Sequence, residues 1–586
     1  MSDFLNVSCS LTGRRWVGPT AETDRRAEAI AQFTALPHPL CMVLARLGVD
    51  PAEATAYLSP RLRDLMPDPR SFLDMEQAAR RVVAALSAHE KIAVFADYDV
   101  DGGASAALLI CWLRALGHGA TLYVPDRIDE GYGPNVPSMR ALARDHSLIL
   151  CVDCGTLSHE ALAAAEDVDV IVLDHHLGGE TLPPALAVVN PNRQDESGEN
   201  THLCAAAVVF LMLVEAGRHL REAGQTPPDL MALTDLVALA TVADVAPLTG
   251  VNRAFVRTGL QVMARRERAG LVALSDIARL DTAPTSYHLG YVLGPRINAG
   301  GRVGRADLGA RLLASHAPEE AQNLARTLDT LNTERREIEA SVRDAALAQA
   351  NMRGLDTPLV WAADEGWHPG VVGIVAARLK EVTNRPAIVI GFEGGEGKGS
   401  GRSVPGVDLG AAIQKLVAEG LLLKGGGHKM AAGLTVARAQ LEPAMQRLSE
   451  LLARQGSAVS GPADLRLDGL LSPAAAVPEL VTQFEEAGPF GASAPAPRFA
   501  LADQRVTFAR QVGETHLKLR VTDGSGASLD AIAFGAFDTA LGAALANHDG
   551  KTFHIAGRLS INLWGGRRNV QLMLDDAAPA TQASGP

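Results

Sequence analysis

Through the first half of the chain, short uninterrupted apolar runs alternate with longer segments whose apolar residues recur at helical spacing. The runs at 92–96, 121–124, 148–152 and 168–173 predict buried strands, and 105–116, 139–143 and 159–165 predict the helices between them. Crossovers of that length join parallel neighbours, so the pattern predicts an α/β domain with a largely parallel sheet under helices. Helical spacing at 40–47 and 74–88 makes the entry region mostly helical, and 204–263 continues as helices. A polar helical stretch at 318–350 is long enough to bridge domains, and a second α/β unit starts at Leu359 and runs through the glycine-rich 391–433. The Pro-, Gly-, Ala- and Ser-containing 455–475 reads as a boundary. Beyond it, five short strands are predicted at 506–509, 516–522, 529–534, 551–559 and 570–574, separated by glycine turns, a pattern that fits a small closed barrel such as an OB-fold. The resulting division is 1–75 helical entry, 76–250 parallel-sheet domain, 251–350 helical region and connector, 351–455 second α/β domain, 456–578 barrel and 579–586 flexible tail.

The ends of the predicted strands carry the chemistry. Asp97, Asp99 and Asp101 fall within one turn ahead of Gly102 and Gly103, and Asp153 and Asp174 each follow a predicted strand directly, with His175 and His176 next to Asp174. Asp244 follows in a later helical region. In open parallel sheets, ligands collect beyond the carboxyl ends of the strands. A single Asp there is often only a helix cap, but carboxylates gathered this densely repel one another unless cations neutralise them. Oxygen and imidazole donors suit Mn2+, with Mg2+ the alternative. Two ions about 4 Å apart could activate a water and stabilise a leaving oxygen in phosphodiester displacement. Asp153 is the candidate to be shared between them, and phosphoester hydrolysis is the reaction class expected.

Composition narrows the setting. Hydrophobic residues make up 47% of the 586 and charged residues 21%, as in folded domains and unlike disordered tails. No apolar run is long enough to span a bilayer and Met1 to Ser8 show no export signal, so a cytoplasmic location without membrane contact is expected. The net charge of -13 argues against a polyanionic partner, but carboxylates spent on metals account for part of it. Locally the sign reverses: arginines are enriched from Arg253 to Arg311, and 498–570 holds nine Lys or Arg against six Asp or Glu. Of the six cysteines only Cys151 and Cys154 lie close together, and a lone CxxC reads as two reduced structural thiols.

The stretches Ala-Asp-Tyr-Asp-Val-Asp-Gly at 96–102, Val-Asp-Cys-Gly at 152–155, Asp-His-His at 174–176 and Ala-Asp-Val-Ala-Pro-Leu at 243–248 resemble the successive motifs of the DHH phosphoesterase superfamily. Leu-Gly-Pro-Arg-Ile-Asn-Ala-Gly-Gly-Arg at 293–302, Trp-His-Pro-Gly-Val-Val-Gly-Ile-Val-Ala at 367–376, Gly-Ser-Gly-Arg-Ser at 399–403 and Gly-Gly-Gly-His at 425–428 are similar to the RecJ-like single-strand exonucleases within it. The resemblance implies a DHH catalytic domain, a DHHA1 domain across a groove, and a C-terminal OB-fold. It further implies 5′-to-3′ degradation of single-stranded DNA to 5′-mononucleotides in recombination and repair, with Mn2+ or Mg2+. Carried over, the metal residues are Asp97, Asp99, Asp101, Asp153, His175 and Asp244, with His176 contacting the scissile phosphate or protonating the leaving oxygen. A single-strand-binding protein and a RecQ-type helicase are implied partners, the chain acting as a monomer at the bacterial nucleoid.

The strand would be held at three places. Arg296, Asn298 and Arg302 are expected to position the phosphate opposite the metals, with Arg296 counted among the catalytic residues. Ser400, Arg402, Ser403, Gly426, Gly427 and His428 form a candidate pocket for a 5′-terminal phosphate, because glycines let backbone N–H groups come close. In the barrel, Lys518, Arg520, Arg558, Arg567 and Arg568 are expected to grip downstream nucleotides with Trp564 stacking, whereas Phe534 and Phe553 are expected in the core. Two rival readings share most of these features: a DHH-family enzyme for short oligonucleotides, cyclic dinucleotides or pyrophosphate, and a noncatalytic single-strand-binding scaffold.

Overall fold

In a computed structural model of the chain, residues 3–127, 129–456, 463–564 and 567–580 are described, without the side chains of Leu563, Trp564 and Arg567. The fold is multidomain α/β with a closed C-terminal barrel. It divides into two compact units, one made of Met66–Ser460 and the other of Met1–Leu65 together with Gly461–Pro586. No helix among the described residues is long and apolar enough to cross a membrane.

The larger unit opens on a five-stranded, all-parallel sheet in the order Ala120–Tyr123, Ile92–Ala96, Leu148–Val152, Asp169–Leu173, Ala187–Val189. Ile92–Ala96 and Leu148–Val152 are buried at every position, as strands covered on both faces must be. The first strand has the second on one side and the third on the other, so the direction of winding reverses between Ile92–Ala96 and Leu148–Val152. A crevice opens at such a reversal, and Asp97 and Asp153 leave the sheet on its two sides. Four strands lie within a residue or so of the expected positions, and Ala187–Val189 is an addition too short to stand out. The helix expected from 105 begins earlier, at Val100. Asp99 caps it, accepting from the N–H groups of Asp101 and Gly102, and the adjacent glycines masked this start because glycine is a poor helix former.

A helical block follows, ending in the 36-residue helix Pro318–Arg353. Its buried stripe begins with Ala321, Leu324, Ala325 and Leu328 and ends with Val342, Ala346 and Ala350, the last three inside the core of the next domain. One continuous helix thus belongs to two cores. That next domain is a five-stranded sheet in the order Lys424–His428, Ala431–Ala437, Glu396–Arg402, Ala387–Glu393, Val360–Glu365, parallel only between the last two.

In the smaller unit, the barrel runs Phe499–Val512, His516–Thr522, Ser528–Ala533, Arg567–Pro579, Thr552–Trp564 and closes on its first strand. The entry helices Ala21–Phe33 and His38–Arg46 share an apolar core with Leu480, Phe484 and Phe499, and Arg15–Val17 pairs in parallel with Asp464–Arg466. Residues 581–586, most of the expected tail, lie outside the described residues.

Candidate metal centre

Each element delivers its acid to the crevice by local geometry. Asp97 is the first residue after its strand, and Asp99 is fixed by capping the helix that follows. Asp101, on that helix, turns its carboxylate to the start of Ala205–Glu222, accepting from the N–H groups of Ala205 at 2.7 Å and Ala206 at 2.8 Å. Asp153 adopts φ 60°, a left-handed backbone that turns it sharply off its strand. Asp244 ends Thr234–Ala243, and the next residue, Val245, also has φ 60°. A β-branched residue in that conformation is strained, and such strain gathers at functional sites.

His175 Nε2 lies 3.3 Å from Asp153, 3.6 Å from Asp101 and 3.8 Å from Asp244. Ligands about 2.1 Å from one ion are separated by about 3.0 Å at octahedral corners and about 3.4 Å at tetrahedral ones. The spacing is therefore near that of a coordination shell. Donor atoms of Asp97, Asp99 and Asp153 form a second group, all within 4.8 Å of one another, as do those of Asp153, His175 and His176, so Asp153 belongs to both sides.

Two observations show that cations fit here. Asp97 Oδ1 and Asp153 Oδ1 are buried without a hydrogen-bond partner, in residues only 4% and 2% exposed. Burial, then neighbouring carboxylates, pushes Asp97 and Asp153 well above the usual carboxylate range. Burial likewise raises Asp101, and burial with the charges of Asp101 and Asp99 lifts Asp244 to about 8. The contrast is the other acidic group of the domain, Glu76, Glu215 and His219, where Arg80 and Arg218 already neutralise the carboxylates.

Asp174 has a different task. Its carboxylate accepts from the Thr156 N–H and hydroxyl, from the N–H groups of His175 and His176, and from His176 Nδ1 at 2.8 Å. Burial alone would raise it, but these donors and the His176 charge hold it below the usual range. Burial alone would likewise lower His176, and Asp174 outweighs this, lifting the imidazole to about 9. Asn190 and Asn192 donate to the carbonyls of His176 and His175 and fix the loop. Tyr132 donates its hydroxyl to the Asp153 carbonyl at 3.0 Å, its ring edge-on to His176. Thr156, Asn190, Asn192 and Tyr132 were not singled out from sequence, whereas Asp174 was, directly after a predicted strand and within the Asp-His-His motif. Gly102 sets a limit on the loop: a Cβ there would lie 2.5 Å from the Asp97 carbonyl oxygen. Gly102→Ala is expected to cost about 1–3 kcal/mol by overpacking, read as a lower denaturation midpoint in urea.

The residues expected to hold DNA are distributed more widely. Arg296 already has partners: it donates to Asp329 at 2.9 Å and to the Val292 carbonyl, so a phosphate would have to displace Asp329. Asn298 and Arg302 line the same groove, of about 370 Å³, and Arg302 donates to the Gly370 carbonyl. Burial, then Arg127, pushes Arg302 down to about 10. Arg127, which was not anticipated, sits over the Tyr98 ring and acts electrostatically on both Asp97 and Arg402. Ser400 aligns with Gly433 and Gly426 across the second sheet, and Arg402 with Ala431 and His428, placing the four expected residues on one face. No atom lies within 4 Å of a Cβ built at Gly426 or Gly433, so that face is an open shelf, whereas the left-handed Gly427 could carry no Cβ without striking Ala431. Ser403 corrects the expectation: it is buried, and its hydroxyl donates to the Val407 carbonyl.

In the barrel, Lys518 is half-buried, Arg520 pairs with Asp530 and Arg558 with Asp575, and Arg568 donates to Thr482. The side chains of Trp564 and Arg567 lie outside the described residues. Phe553 is in the core as expected, but Phe534 is 57% exposed against His516, which corrects the core placement. Cys151 and Cys154 are buried free thiols, raised by burial.

Three family domains match the chain: the DHH family, N-terminal domain, over residues 91–241, the DHHA1 domain over 356–454 and the RecJ OB domain over 467–576. The curated single-stranded-DNA-specific exonuclease RecJ of Dickeya dadantii is 37% identical over 98% of this chain and 100% of its own. The chain belongs to the RecJ family. Among solved RecJ structures, that of Thermus thermophilus in complex with Mn2+ has a TM-score of 0.79 at 30% identity, covering 96% of this chain and 79% of its own. The RecJ complex with Mg2+ from the same organism has a TM-score of 0.74 at 28% identity, covering 96% and 78%.

Proposed function

We propose that the chain is a metal-dependent exonuclease specific for single-stranded DNA, cutting from the 5′ end toward the 3′ end and releasing 5′-mononucleotides in recombination and repair. The observation that carries the reading is the convergence of acids and His175 around two buried carboxylate oxygens that no protein donor satisfies, in a chain of the RecJ family. Two divalent ions, Mn2+ or Mg2+, would be held by Asp97, Asp99 and Asp153 on one side and by Asp101, His175, Asp244 and the shared Asp153 on the other. Such ions would lower the pKa of a water and neutralise charge on the scissile phosphate.

The chain's own groups do the rest. Asp174 keeps the His176 Nδ1 proton engaged, leaving Nε2–H to protonate the departing 3′-oxygen. Arg302 and Asn298 orient the strand beside the cut. Ser400, Arg402, Gly426 and His428 take the terminal 5′-phosphate on the open shelf, and Gly427 lets the strand that carries Gly426 and His428 lie close against Ala431 and Ala432. Lys518, Arg520, Arg558, Arg567 and Arg568, with Trp564, hold downstream nucleotides on the barrel. By the same reading the enzyme works as a monomer in the bacterial cytoplasm, at the nucleoid, beside a single-strand-binding protein and a RecQ-type helicase.

Strands labelled separately at each end test direction and site together. With Mn2+ the 5′ label is expected in mononucleotide first, and Asp153→Ala and His175→Ala should abolish its release; a 3′ label released first, or faster hydrolysis of a dinucleotide or pyrophosphate, would refute the assignment. Arg402→Ala is expected to reduce the preference for a 5′-phosphate over a 5′-hydroxyl end by about tenfold to a hundredfold, the loss of one charge-assisted hydrogen bond. Comparing KM on the two ends measures it.

A further inference from the structure

Two tyrosines on the outer face of the helical block have no role in the chemistry described. Tyr287 and Tyr291 are 63% and 72% exposed, and their rings stack on each other with centroids 5.1 Å apart and planes 25° from parallel. Large apolar rings left this open together, beside charged residues, mark a contact surface more than a packing accident.

The backbone beneath them is built for this display. Tyr291 lies in a π-helical turn, Leu289–Leu293, of the kind that recurs at functional sites. Sequence dictates the turn: Pro295 has no N–H to return to the Tyr291 carbonyl, and the Gly294 N–H instead reaches back to Leu289. Leu289 and Leu293 are fully buried, and a Cβ on Gly290 would touch Val242, two residues before Asp244. The opposite face of the turn is thus anchored against the helix that carries one of the candidate metal ligands, and the tyrosines are turned outward.

Tyr291 also borders the groove of about 370 Å³ that Arg296, Asn298, Arg302, Arg335 and Arg378 line. Within it, Asn298 Oδ1 is buried without a hydrogen-bond partner. Arg296, Arg335 and Arg378 are paired with Asp329, Glu339 and Glu381, but among the lining residues five arginines face the single carboxylate of Glu339, and that surplus of positive charge attracts phosphates. An exposed aromatic pair at the rim offers its faces to unpaired bases, whose stacking tolerates any sequence.

We infer that Tyr287 and Tyr291 form a stacking platform for the nucleobases of a single strand entering the arginine-lined groove, and that this platform contributes to discrimination against duplex. Bases in a duplex are paired and stacked inward and cannot lie on these rings. The inference rests on the exonuclease reading for its substrate, and it assigns the tyrosines positioning of the strand with no contact to the reacting atoms.

The test uses the full chain, a 5′-phosphorylated single strand of about 30 nucleotides, and the same strand with a run of abasic sites behind its 5′ end. Replacing both tyrosines with alanine is expected to raise KM about 10- to 100-fold and leave kcat within about twofold, whereas the double Phe variant keeps the wild-type KM. Wild-type enzyme should lose the same factor on the abasic strand, and the alanine variant should lose nothing more there. 2-Aminopurine placed at those positions of the intact strand should be quenched on binding to the wild-type and Phe proteins in EDTA but not to the alanine protein, whose unchanged melting temperature would verify its fold. A wild-type KM in the alanine variant, or alanine and abasic effects that add in full, would overturn the platform. If the wild type releases no nucleotide with Mn2+, the exonuclease reading has failed, and quenching in EDTA still decides the platform.

Discussion

Replacing Asp153 with asparagine is expected to lower nucleotide release by about ten-thousand-fold, a loss typical of removing one member of a catalytic set that acts as a unit. Asparagine is the informative choice because it tolerates the left-handed backbone that Asp153 adopts at φ 60°. Alanine would add backbone strain to the loss of the ligand. The variant carries a second signature that a merely damaged protein would not show. In wild-type protein without metal, Asp153 is buried among Asp97, Asp99 and Asp101, so its carboxyl either retains a proton at a cost in free energy or meets their repulsion, and asparagine does neither. Asp153→Asn should therefore melt at or above the wild-type temperature in EDTA and gain far less from added Mn2+. A variant that melts lower in EDTA, or retains more than a hundredth of wild-type release, would refute the shared-ligand role.

The pH dependence of the metal-free protein should be equally marked. Asp97, Asp101, Asp153 and Asp244 all have folded pKa values above those of an unfolded chain. The folded state then keeps protons that the unfolded state has released, so stability is greatest below about pH 4 for these groups and falls as pH rises. For Asp244 the fall extends to about pH 8. Each proton so retained costs about 1.4 kcal/mol per pH unit within that window. Differential scanning calorimetry in EDTA should show the transition of the unit carrying the site moving down from pH 5.5 to 8.5. Saturating Mn2+ takes the place of the protons and should abolish that slope, so the stabilisation by metal is larger at pH 8.5 than at 5.5. Parallel curves with and without Mn2+ would contradict the account.

Much of this was legible in the sequence for a physical reason. A strand buried on both faces must be apolar throughout, so the residue that ends it is conspicuous when charged, as Asp97 and Asp153 are. Asp101 stands out in the same acidic turn as Asp97, His175 and Asp244 were assigned to metal through the resemblance to the DHH motifs, and the fold brings the three to one point. Roles set by packing were harder to read. Nothing in the one-dimensional pattern distinguishes Asp174, saturated with donors, from Asp153, which has an orphaned oxygen. Arg127 lies in a turn after its strand and gains meaning only from neighbours far along the chain, and Arg296 is held by Asp329 on another helix, a pairing the one-dimensional pattern does not show. Ser403 shares a motif with Arg402 but lies just past the end of the strand, where its N–H meets the Met430 carbonyl and its hydroxyl turns inward to the Val407 carbonyl.

The pairing of Arg15–Val17 with Asp464–Arg466, and the Trp16 indole that donates to Asp576, tie the beginning of the polypeptide to its far end. On the ribosome these partners emerge 449 and 560 residues apart. At about 5–20 residues per second, the leading helices wait on the order of half a minute to two minutes for the strands that complete their core. The Met66–Ser460 unit, which carries the metal centre, is complete in the nascent chain before those partners emerge and can close while the leading helices still wait for theirs.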